Sequence, residues 1–129
     1  MTVKLVLVDD HDGMRRSLVR FLETVDDFSV VGHSADPAEG LETCQLLSPD
    51  VVLVDIRMKE MNGYEFTRRL RSQGSTIGVV GISALPAEEA TEQMQLAGAD
   101  GYVEKVSDPI TFIHAVRMAA AAAHQRSLS

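Results

Sequence analysis

A single cysteine, Cys44, stands among the 129 residues. One thiol excludes an internal disulfide and fits a reducing cytosol. Its place on the apolar side of a predicted helix makes it a core filler rather than a reactive group. Positive charge is also scarce: 12 Lys and Arg stand against 19 Asp and Glu, for a net charge of −7. Binding to a phosphate backbone needs basic surface, so this chain alone is not expected to bind DNA directly. No apolar run approaches the length of a membrane span. The N-terminus runs from Met1 through Lys4 straight into a strand, without a signal-peptide layout. The expectation is a cytoplasmic protein with no membrane contact. No internal repeat and no linker-like stretch divides the chain, and its length suits one domain over residues 1–129.

What is present centres on Val51-Val52-Leu53-Val54-Asp55. Four apolar residues, three of them β-branched, end in a carboxylate after the Pro49-Asp50 break. The run is too short for a buried helix and does not alternate, so it reads as a strand covered on both faces. Open α/β sheets place their chemistry at the carboxyl ends of such strands. Taken alone, Asp55 reads equally well as a nucleophile or as an acid that ends a strand or caps the next helix.

Around it the chain alternates strand and helix. Val3 to Val8 is a first strand ended by Asp9-Asp10, and Met14, Leu18, Phe21, Leu22 and Val25 form the apolar stripe of a helix. Ser29 to Gly32 is a short second strand. Asp36-Pro37 opens a second helix by the cap-plus-proline device, with Leu41 and Cys44 inward. Residues 56–62 form a loop ending in an Asn62-Gly63 turn signal. A third helix carries Phe66 and Leu70 inward and Arg68, Arg69 and Arg71 mostly outward. Ile77 to Ile82 is a fourth strand ending at Ser83, with two glycines that suggest close approach. Pro86 opens a fourth helix, acidic early at Glu88, Glu89 and Glu92, with Ala90, Met94 and Ala97 inward. Gly101 to Val103 is a fifth strand, followed closely by Lys105. Asp108-Pro109 starts the last helix, with Ile113, Val116 and Ala120 inward.

Five βα units in strict alternation call for a parallel sheet with helices on both faces. The rule for such flavodoxin-like, doubly wound folds gives the strand order 2-1-3-4-5. In that order Asp9, Asp10, Asp55, Ser83 and Lys105 share one edge of the sheet. Three carboxylates in one crevice repel each other, and a cation would explain their gathering. Few protein oxygens and no His or Cys set favour Mg2+ over zinc. His11 adjoins the acids but reads as a first-turn helix residue. In this arrangement Asp55 would attack a phosphoryl group, Lys105 would neutralise one phosphoryl oxygen, and Ser83 would donate a hydrogen bond.

The motifs Val8-Asp9-Asp10-His11, Asp55-Ile56-Arg57-Met58, Met61-Asn62-Gly63, Ser83-Ala84 and Gly101-Tyr102-Val103-Glu104-Lys105 together resemble the receiver domain of bacterial two-component response regulators. The resemblance covers essentially the whole chain. It implies that Asp55 is the phosphoacceptor and that Asp9 and Asp10 are the acidic metal pair. It implies that the backbone carbonyl of Arg57 is a further Mg2+ ligand. Ser83 and Lys105 then match the family's switch hydroxyl and lysine, and Tyr102 matches the aromatic that turns inward on activation. On strand geometry alone Tyr102 reads equally as a half-buried strand residue.

The implied partners are a sensor histidine kinase or phosphotransfer protein, and a second copy in a homodimer. The implied response is a change of surface over the fourth strand, fourth helix, fifth strand and fifth helix that controls an output. His11 and the segment from Val30 to Asp36 are most similar to receivers joined to helix-turn-helix modules, which points to transcription regulation. Two departures from the family stand out: Lys59-Glu60 replaces Pro-Gly, and Val106 replaces the proline after the lysine. The family proline follows a cis peptide; a cis bond to Val106 would cost about 3–4 kcal/mol, so a trans bond is the alternative.

Other readings compete. An aspartate-nucleophile phosphatase would carry a second acid two residues after Asp55, where Arg57 stands. A flavodoxin-like cofactor binder would need a Gly-rich phosphate loop after the first strand, where Asp9-Asp10 would repel a phosphate. A degenerate receiver would act through protein contacts without phosphorylation.

Overall fold

The computed structural model describes residues 2–84 and 87–129, without the side chains of residues 87–89. Five parallel strands, β1 (Val3–Val8), β2 (Phe28–Ser34), β3 (Val51–Asp55), β4 (Gly78–Ser83) and β5 (Gly101–Glu104), form one sheet in the order β2-β1-β3-β4-β5. They alternate with α1 (Asp12–Glu23), α2 (Pro37–Leu47), α3 (Gly63–Ser72), α4 (Ala87–Ala97) and α5 (Pro109–Ser127). The order that the rule for flavodoxin-like, doubly wound folds gives is the one observed.

The central strands are apolar on both faces because both faces are covered. Leu5, Leu7, Val51 and Leu53 point to one side and pack with Leu18 and Leu22 of α1 and with Phe112, Val116 and Ala119 of α5. Val6, Val8, Val52 and Val54 point to the other and pack with Leu41 and Cys44 of α2, Phe66 and Leu70 of α3, and Met94 of α4. This period-two split of one apolar run is what a strand between two helical layers requires. Cys44 is a buried filler, its thiol pushed up to about 12 by burial.

The helix starts follow the expected chemistry. Asp36 and Asp108 cap α2 and α5, each side chain accepting a backbone N–H, with proline in the first turn. Asn62-Gly63 is a helix start rather than a free turn: Asn62 caps α3 by accepting from Glu65 N at 2.9 Å. Gly63 also needs its lack of a side chain, because a Cβ there would lie 2.8 Å from the Asp55 carbonyl oxygen. The close approach expected at β4 is real: a Cβ on Gly78 would lie 2.6 Å from the Ala119 carbonyl oxygen of α5.

Three expectations are corrected. β2 is longer than Ser29–Gly32 because Phe28, His33 and Ser34 also pair with β1, opposite Val3, Leu7 and Val8, and it bulges at Val31, since Leu5 pairs with Val30 but Val6 with Gly32. The inner stripe of α5 is Phe112, Val116, Ala119 and Ala123; Ile113 and Ala120 flank it, half-buried. Arg71 does not face outward. It turns back along the sheet edge, donating to the carbonyls of Gly98, Ser75 and Ile77 and pairing with Asp100. Pro86 as the opening of α4 lies outside the described residues, as do the side chains of Glu88 and Glu89.

Candidate functional site

A parallel sheet brings the carboxyl ends of its strands to one edge, and the chain loads that edge with charge. Asp9 and Asp10 follow β1, Asp55 ends β3, Ser83 ends β4, and Lys105 follows β5. β1 and β3 are neighbours, so the acids meet at the point where the strand order reverses. One carboxylate oxygen from each of Asp9, Asp10 and Asp55 lies within 4.8 Å of the others. Asp9 is fully buried, Asp55 is 4% exposed and Ser83 is 1% exposed. The edge opens as a cleft of about 270 Å³ lined by Asp10, His11, Asp55, Arg57, Ser83, Ala84 and Lys105.

Lys105 is the counter-charge. Its Nζ stands 3.0 Å from Asp55 Oδ2 and 3.0 Å from Asp9 Oδ2. Only the contact with Asp55 is an aligned hydrogen bond; Asp9 Oδ2 is buried and accepts none. Three of the other four oxygens are held by backbone. Asp9 Oδ1 accepts from His11 N at 2.9 Å, Asp55 Oδ1 from Arg57 N at 3.1 Å, and Asp10 Oδ2 from Lys59 N at 3.1 Å. Burial, then the neighbouring Asp9, push the Asp55 carboxyl up to about 6, against the opposing pull of Lys105. Burial by itself would lower the Lys105 ammonium, but Asp9 and Asp55 outweigh it and hold the group above the usual lysine range.

The remaining expected residues fall in place unequally. Tyr102 is half-buried beside the α2–α4 core, close to Ser83. Arg57 lines the cleft. His11 is the N-cap of α1 rather than a first-turn residue: its Nδ1 accepts from Met14 N at 3.2 Å. The described residues contain no cis peptide bond. Lys105-Val106 is therefore trans, and Lys105 reaches both acids with valine in the proline position. Of the other departure, the Lys59 backbone N–H serves Asp10.

One residue of the site escaped the sequence. Arg15 on α1 is buried at 8% exposure, and its guanidinium donates to the Asp9 carbonyl oxygen at 2.8 Å. A charged residue at a helix position next to an apolar stripe gives no sign of this, since its second partner, His33, lies 18 residues away.

The donor set fits a hard divalent cation. It is all oxygen, it is more acidic than Lys105 alone can balance, and it includes the buried Asp9 Oδ2, which lacks a hydrogen bond. No helix among the described residues is long and apolar enough to cross a membrane.

Comparison with known proteins identifies the family. The family model of the response regulator receiver domain matches residues 5–117. The response regulator GacA of Pseudomonas syringae is 33% identical over 116 residues, covering 90% of this chain and 54% of GacA. The nitrate/nitrite response regulator protein NarL of Escherichia coli is 32% identical over 117 residues, covering 91% of this chain and 54% of that protein. The chain thus spans about half the length of the curated relatives it matches. Among solved structures, the signal receiver domain of a response regulator NarL from Mycobacterium tuberculosis superposes with a TM-score of 0.87 at 33% identity, covering 93% of this chain and 97% of that one. A LuxR-family two-component response regulator from Aurantimonas superposes at 0.88 with 29% identity, covering 94% of this chain and 86% of that one.

Proposed function

Because this chain belongs to the response regulator receiver domain family of two-component systems, we propose that Asp55 accepts a phosphoryl group from a phosphohistidine on a sensor histidine kinase or phosphotransfer protein. The observation that carries the reading is the buried Asp55 carboxylate at the head of β3, joined by Lys105 and faced by Asp9 and Asp10. An Asp55 oxygen attacks phosphorus, the new P–O bond forms, and the P–N bond to the donor imidazole breaks. The electron pair stays on that nitrogen, which takes a proton from solvent. With its pKa at about 6, Asp55 is mostly ionised at neutral pH and so is competent to attack.

The protein's part is position and neutralised charge. Lys105, already on Asp55, moves its donors to a phosphoryl oxygen as the carboxylate becomes an acyl phosphate. Ser83 donates a hydrogen bond to another, and the small Ala84 leaves room. Asp9, Asp10, Asp55 and the Arg57 backbone carbonyl would hold Mg2+. When bound, the ion would supply positive charge against the acids and the phosphoryl oxygens. Tyr102, close to Ser83, would carry the change at the site to the β4-α4-β5-α5 surface, which engages an output or a second copy of the chain.

Residues 1–129 act in this reading as a single cytoplasmic receiver unit that catalyses only its own phosphorylation and dephosphorylation. A phosphatase for outside substrates would place an acid where the exposed Arg57 stands. Incubation with acetyl phosphate tests the proposal: phosphoprotein accumulates with Mg2+ and not with EDTA. Continuous turnover of a generic phosphomonoester, without phosphoprotein, would favour the phosphatase instead.

A further inference from the structure

Asp9 is held with unusual completeness. Its backbone N–H donates to Ser34 O at 3.1 Å, and its Oδ1 accepts from His11 N at 2.9 Å. Its carbonyl oxygen lies past the end of β1, where no ladder partner follows, and it accepts from Arg15 Nη1 at 2.8 Å. Three of its four polar groups are thereby hydrogen-bonded within the protein, and the fourth, Oδ2, is buried without an aligned hydrogen bond, 3.0 Å from the Lys105 ammonium.

Arg15 is in turn oriented from both sides. Its Nε donates to Nδ1 of His33 on β2 at 3.1 Å, and its Nη1 lies 2.8 Å from Asp12 Oδ1 in an ion pair. Asp12 is largely exposed, so that pair contributes little by itself. The bonds to the Asp9 carbonyl and to His33 are the ones that set the guanidinium plane. A guanidinium holds both in one rigid plane; a lysine ammonium, with rotatable donors on a flexible stem, would not fix that geometry.

We propose that Arg15 is a positioning residue for cation binding, with His33 as its orienter. By clamping the Asp9 carbonyl, Arg15 fixes the strand end and so holds the buried Asp9 carboxylate beside those of Asp10 and Asp55. The proposal rests on the Mg2+ reading given above. Groups that orient metal ligands change metal affinity on removal, typically by tenfold or more, while leaving the reacting atoms in place.

The test is calorimetric titration of Mg2+ into wild type, Arg15→Met and His33→Ala. Urea unfolding of each in EDTA accompanies it. Methionine keeps much of the buried volume of Arg15, and His33 is exposed, so its loss leaves the fold in place should Arg15→Met fold poorly. Arg15→Met is expected to weaken Mg2+ by about tenfold and His33→Ala by a smaller factor. At saturating Mg2+ the rate of phosphorylation by acetyl phosphate should return close to that of wild type. A Mg2+ affinity unchanged in His33→Ala and in folded Arg15→Met, with wild type binding normally, overturns the proposal. Reduced urea midpoints with unchanged affinity do the same, because they mark a structural role only. A wild type that binds no Mg2+ overturns the underlying reading instead, so the two failures are distinct.

Discussion

Asp55 combines two properties that oppose each other: it must be charged to react, and it is buried where charge is costly. Its carboxyl in the folded protein titrates at about 6 against an ordinary 3.8. Between those values the folded state binds more protons than the unfolded state, so stability falls as pH rises from about 4 through about 6. Ionised Asp55 therefore destabilises the metal-free protein at neutral pH. Asp55→Asn keeps the shape and removes that charge. It should stabilise the metal-free protein at pH 7 by about 1 to 3 kcal/mol, the upper figure being the full shift and the lower one its value after solvent screening. Urea unfolding of both proteins in EDTA across pH should show the wild type losing stability over that window and Asp55→Asn staying flatter. About 10 mM Mg2+ should then stabilise the wild type more than Asp55→Asn, so that the two converge or cross. Equal midpoints in EDTA and equal shifts with Mg2+ would mean that the acids share no metal site.

At the scale of elements, what was readable from sequence was what periodicity and strand ends encode. Short continuous apolar runs gave β1, β3 and β4, and the cap devices at Asp36 and Asp108 gave two helix starts where they occur. The edge that gathers Asp9, Asp10, Asp55, Ser83 and Lys105 followed from parallel topology, because each residue's position depends only on where its own strand ends. What was not readable depends on partners distant in sequence. Arg71 looked like one of three outward arginines, yet it joins Arg126 of α5 on Asp100, which also accepts from Val79 N. This cluster ties α3, β4 and α5 together at the sheet edge opposite the acids. Asp100→Ala would leave two arginines without their shared partner and should cost about 2 to 4 kcal/mol, less than a fully buried pair because Arg126 is partly exposed. The β2 bulge and the Arg15 clamp were hidden for the same reason. Close packing of elements gives a second prediction: Gly78→Ala forces a Cβ onto the backbone of α5 and should destabilise by about 1 to 3 kcal/mol. A urea midpoint unchanged in Gly78→Ala would mean that α5 is free to shift.

The whole molecule is acidic, with a net charge of −7, and its five βα units use the chain from Val3 to Ser127. Among the described residues no reading helix is left over for a groove, so this chain should not shift duplex DNA in a sequence-dependent way at physiological salt. A sequence-dependent mobility shift would contradict that. Phosphorylation comes down to one P–O bond at Asp55, which intact mass spectrometry detects. Wild type and Asp55→Asn are incubated with acetyl phosphate and Mg2+ and weighed. The account predicts one added phosphoryl group on the wild type and none on Asp55→Asn. A wild type that stays unmodified under saturating donor would contradict it and leave a receiver fold that works through protein contacts alone.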